Sequence, residues 1–156
     1  MAILAAFMVP HPPLIVPEVG RGGEKQIEAT AAAYRKAAAD IAALAPETVI
    51  VSSPHAVMYA DYFHISPGKG AAGSFARFGA SQVRFREEYD TELVRSITRL
   101  ADEEGFPAGT DGERDPALDH GTMVPLYFLA RYCKSCKIVR LALSGFSLKE
   151  IGRAHV

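Results

Sequence analysis

Apolar positions along the chain alternate between unbroken runs and helical steps. Residues 2–9 are a continuous apolar run closed by Pro10, which predicts a buried strand. From Glu24 to Leu44 the chain is Ala-rich, and Ile27, Ala31, Tyr34, Ala38, Ile41 and Leu44 recur at three- and four-residue steps. That spacing predicts an amphipathic helix, stopped by Pro46. Thr48–Ser52 follows as a short β-branched strand running into Ser53, Pro54 and His55. Two strands joined by a helix of this length predict a parallel pair buried on both faces.

Further strands are expected at Asp61–Ser66 and Gln82–Arg86, separated by a Gly-rich loop. Asp90–Glu104 predicts a second helix, with Leu93, Ile97, Leu100 and Ala101 on one face and Gly105 as its stop. A polar stretch, 107–119, leads into an apolar segment, Gly121–Tyr132, expected to be helical with Pro125 near its first turn. Ile138–Leu143 reads as the last strand, and Ser147–His155 as the start of another helix. No repeat or low-complexity linker divides the chain. The expected fold is α/β, a single domain (1–156) in an α-β-α arrangement with a mainly parallel central sheet.

Composition narrows the function. Seventeen basic and eighteen acidic side chains leave a formal charge of −1. Neither a nucleic-acid-binding surface nor a polybasic membrane module is expected from that balance. Hydrophobic residues make up 49% and charged residues 22%, the profile of a globular protein. The opening apolar run has no basic region before it, and no run is long enough to span a bilayer, so a cytoplasmic protein is expected. Cys133 and Cys136 form a single C-x-x-C, read as two thiols in a turn.

The candidate chemistry lies in the histidines. His11 and His55 each follow a predicted strand by one or two residues and are flanked by Pro10, Pro12 and Pro54. In open α/β sheets ligands bind beyond the carboxyl ends of the strands, so both should emerge on one edge, held in direction by the restricted backbone. Preorganised imidazoles suit a metal site. His120 sits at a helix mouth beside Asp119, which reads either as an N-cap or as the carboxylate partner of a general acid or base. His64 is expected to face its sheet neighbours or a partner subunit. His155 carries no signal. Gly68–Gly73 matches G-x-G-x-x-G, but it does not lie between a first strand and a first helix. A hairpin or flap over a pocket suits it better, with Lys69 or Arg77 reaching an anionic group.

Three segments carry a resemblance: Val9–Gly20 (VPHPPLIVPEVG), Ile50–Ala56 (IVSSPHA) and above all Leu118–Leu126 (LDHGTMVPL). In this order they are similar to the class III extradiol ring-cleavage dioxygenases (LigB-type) and their Memo-like relatives, most of all the bacterial branch linked to the AmmeMemoRadiSam system. The resemblance implies that His11 and His55 ligate a non-haem Fe(II), with Zn as the alternative metal, and that His120 with Asp119 supplies acid/base catalysis. It implies a small catecholic aromatic substrate, opened with O2. The family's third ligand, a Glu in the ring-cleaving enzymes, lies near the end of a longer domain. On this resemblance the chain reads as C-terminally shortened, with Glu150 too early in the order for that role and His155 assigned only by a coincidence of folding or across a subunit interface. A metal-binding protein that is not a dioxygenase, an accessory component or zinc hydrolase among them, and an inactive binding domain are the alternatives. Edge strands left by a shortened sheet favour a homo-oligomer.

Overall fold

The computed structural model describes residues 2–147. Three 3-10 turns and a one-turn helix surround the regular elements. Pro13–Ile15 is the first turn, α1 spans Pro17–Gly20, and Gly23–Ile27 is a second turn leading directly into α2, Glu28–Ala43. Ala31, Tyr34 and Ala38 are the buried stripe of α2, three and four residues apart as the periodicity requires. β1 (Thr48–Ser53), β2 (Phe63–His64), β3 (Gly70–Phe75) and β4 (Ala80–Glu88) follow, with the third 3-10 turn, Ala76–Phe78, between β3 and β4. Then come α3 (Thr91–Glu103), β5 (Ala108–Gly109), α4 (His120–Leu129) and β6 (Lys137–Ala142).

β1 and β6 pair in parallel from Thr48↔Lys137 to Ser53↔Ala142, and β2 pairs in parallel with β5. β3 and β4 form an antiparallel hairpin. Isolated bridges, Ile65↔Leu141 and Tyr89↔Ile138, stitch the other segments onto β6. Alternate residues of β6 point to opposite layers. Ile138 joins the main core with Tyr34, Phe128 and Leu129 of α2 and α4, whereas Val139 packs with Ile65 and with Val94 of α3. Helices therefore cover both faces of the parallel strands, as an α/β chain demands. Among the described residues no helix is long and apolar enough to cross a membrane.

The helix termini are set by their side chains. Asp90 caps α3, its carboxylate accepting from the Leu93 N–H at 2.9 Å, and also accepts from the Thr48 hydroxyl at the start of β1. Those bonds, the Thr48 one foremost, hold its carboxyl below the usual range. Gly105 ends the same helix at φ +62°, a left-handed conformation that glycine adopts freely.

The structure corrects several expectations. Residues 2–9 form no strand: Ile3 is 90% exposed and Met8 fully so, and the parallel partner of β1 is β6. An apolar run specifies a tendency to be buried, but strand formation needs an edge to pair with, and that information is not local. The Gly-rich segment is strand rather than loop. A Cβ on Gly70 would collide with the Glu87 carbonyl, and one on Gly73 would lie 2.7 Å from Met123 Sδ, so these glycines allow β3 to approach β4 and α4 closely. The strand expected at 61–66 shrinks to Phe63–His64. Cys133 and Cys136 lie in the turn after α4, with their Cα atoms 5.9 Å apart, within the span of a disulfide. The helix expected at Ser147–His155, with Glu150 and His155, falls almost wholly outside the described residues.

Candidate metal centre

His11 follows Pro10 and precedes a turn whose Ile15 and Val16 are fully buried, so the loop is nailed to the core four residues beyond the imidazole. His55 lies two residues past the end of β1, and its backbone N–H donates to the hydroxyl of buried Ser53 at 3.1 Å. His120 is the first residue of α4. Asp119 caps that helix, accepting from the Thr122 N–H at 3.1 Å and from the Thr122 hydroxyl at 2.9 Å. The N-cap reading of Asp119 is thus correct.

The three imidazoles converge beyond the carboxyl end of the β1–β6 pair, where α/β sheets place their ligands. Their candidate ligand atoms all lie within 4.8 Å of one another. The His11 and His55 Nε2 atoms are 2.9 Å apart, one nitrogen donating and the other accepting. Ring centroids are 3.9 Å apart for His55 and His120 and 6.0 Å for His11 and His120. Two imidazole nitrogens about 2.1 Å from one metal ion and at right angles stand about 3 Å apart, so the His11–His55 spacing fits a shared ion. Neutral imidazole is a donor suited to Fe and Zn alike.

Beneath the histidines lies a polar network. The Ser53 hydroxyl donates to Asp119 Oδ1 at 2.5 Å, and Arg140 Nη2 of β6 stands 3.5 Å from Asp119 Oδ2. Arg140 is 3% exposed, and its Nη1 donates to the Asp115 carbonyl. Burial alone would push the Asp119 carboxyl up, but the bonds from Ser53 and Thr122 and the Arg140 charge outweigh it and hold the group below the usual range. One carboxylate thereby ties the His55 loop to the His120 helix. His120 itself titrates below an ordinary histidine, first because of burial, then because of His55 and His11, with Asp119 opposing. The shift favours its neutral imidazole.

Gly121 is what permits the approach. A Cβ there would meet the Ser53 hydroxyl and lie 3.0 Å from His55 Cδ2. Gly121→Ala is therefore expected to weaken Fe(II) or Zn(II) uptake by about 10–100-fold, the range seen when a ligand's support is lost. Metal titration alongside circular dichroism checks this; unchanged affinity in a folded variant would contradict it.

Residues that the sequence reading passed over include Ser53, Arg140 and Phe78. Arg140 had a signal, since a charge inside the apolar run 138–142 calls for a buried partner. Ser53 and Phe78 had none. The expected hairpin is present, and it is Phe78, near its tip, whose ring lies beside that of His120, with centroids 5.4 Å apart. His64 is buried among its sheet neighbours, its ring 5.3 Å from that of Tyr59.

Residues 5–154 match the family described as the catalytic LigB subunit of aromatic ring-opening dioxygenase. The chain belongs to this family. A LigB-family fold accounts for the parallel strand pairs with helices on both faces. The chain is also similar to a Clostridium acetobutylicum protein, CA_C1420, at 39% identity over 160 positions, covering 98% of this chain. It spans 34% of that relative's length.

Proposed function

We propose that His11 and His55 hold a non-haem Fe(II), that His120 is the acid/base residue, and that the LigB-type site opens a catecholic ring with O2. The convergence of three histidines from three separate segments, two of them spaced as neighbouring ligands, carries this reading. When bound, Fe(II) would supply free coordination positions and the redox chemistry that dioxygen needs. The rest falls to the chain. His120, kept neutral by burial and by its two imidazole neighbours, accepts a proton from a substrate hydroxyl and returns it as the ring opens. Asp119, spent on Ser53, Thr122 and Arg140, acts as a positioning residue for His120 and His55.

Fe(II)-loaded chain given catechols should consume one O2 per ring opened and release the yellow semialdehyde of extradiol cleavage. A panel of catechols that leaves O2 untouched would overturn the reading. One observation favours a second reading: three imidazoles within 4.8 Å of one another are also a donor set for zinc with an open fourth position. That would make the chain a zinc hydrolase or an accessory, Memo-like component of a radical-SAM-associated system. Zinc retention without O2 uptake is its signature.

A further inference from the structure

We infer that Phe78, at the tip of the β3–β4 hairpin, is the specificity-determining wall of the site and selects planar aromatic rings. The inference rests on the ring-opening reading above and adds the group that would recognise the ring.

The stem of the hairpin is fixed. The Leu118 N–H donates to the Ala72 carbonyl at 3.0 Å, so β3 is bonded to the segment that leads into His120. Phe75, at the end of β3, is fully buried. The next residues form one 3-10 turn, Ala76–Phe78, in which positions three apart eclipse. Phe78 therefore lies on the same side of the turn as Phe75, their rings edge to face with centroids 6.1 Å apart at 64°. Gly79 closes the turn at φ +77°, and its carbonyl accepts from Arg21 Nη2 at 2.7 Å. Arg21 caps the end of α1, the short helix that follows the His11 loop and its turn. The tip thus spans from the His11 arm to the His120 helix.

The Phe78 ring meets His120 at 5.4 Å and 66°, edge to face. It remains 38% exposed, so part of the ring's surface is free. A flat ring held beside His120 would find an aromatic surface within the separations at which such pairs attract. A chelator without a ring gains nothing from it.

The test compares two bidentate ligands on the Fe(II)-loaded chain under nitrogen: 4-nitrocatechol, followed by its visible band, and acetohydroxamic acid, followed by calorimetry. Phe78→Ala should weaken 4-nitrocatechol about tenfold and leave acetohydroxamic acid unchanged, while Phe78→Tyr restores the nitrocatechol affinity. Equal 4-nitrocatechol affinity in wild type and Phe78→Ala, or equal losses for both chelators, would overturn the role of Phe78 alone. A wild-type chain that takes acetohydroxamic acid but no 4-nitrocatechol would overturn the ring-opening reading and this inference together.

Discussion

His55→Ala is expected to reduce Fe(II) and Zn(II) affinity by more than about a hundredfold, beyond what loss of a supporting residue costs a metal site. His11→Ala should do the same, because its Nε2 lies 2.9 Å from that of His55, the spacing of two neighbouring ligands on one ion. Neither change should disturb the fold. His55 is exposed and its anchoring bond runs through its backbone, so stability should stay within about 0.5 kcal/mol of wild type. His120→Ala separates the two functional readings. If His120 is the acid/base group, the variant keeps its metal and loses turnover by about 10²–10⁴. If three imidazoles hold zinc, it loses the metal as well. Metal titration with an oxygen electrode reads both quantities, and undiminished metal in His55→Ala would defeat the site assignment outright.

Much of this centre was legible because its signals are local. Pro10, Pro12 and Pro54 mark rigid turns beside His11 and His55, and Asp119 before His120 is a helix cap whose bonds span three residues. The helices at Glu28–Ala43 and Thr91–Glu103 follow from apolar spacing, which is a property of the segment itself. What escaped is long-range. The partner of β1 lies almost ninety residues away in β6, and nothing within Thr48–Ser53 names it. Gly70 and Gly73 read as loop because flexibility and close packing both require glycine; only the neighbouring Glu87 carbonyl and Met123 distinguish them. Ser53 matters through a carboxylate 66 positions on, and Phe78 through a 3-10 turn that composition does not specify.

Asp119→Ala should be the most destabilising single change in the site, at about 3–5 kcal/mol, because it leaves the Arg140 guanidinium buried without a counter-charge. The variant also strips the cap from α4 and the acceptor from Ser53. Asp119→Asn keeps an oxygen for Ser53 and for the Thr122 N–H, so its loss should be smaller, about 2 kcal/mol. The decisive variant is the double, Asp119→Ala with Arg140→Met. Removing both charges and filling the space with an apolar chain should recover the ionic part of the loss and leave only the missing cap and the unpaired hydroxyl, about 1–2 kcal/mol. The pH profile follows with a definite sign. A carboxyl whose folded pKa is depressed contributes stability that is complete above the unfolded value of about 3.9 and is lost as pH falls through the folded one. Urea unfolding of wild type should therefore weaken below about pH 4 more steeply than that of Asp119→Asn. If the double variant is no more stable than Asp119→Ala, the Asp119–Arg140 pair is not what joins β6 to the His120 helix.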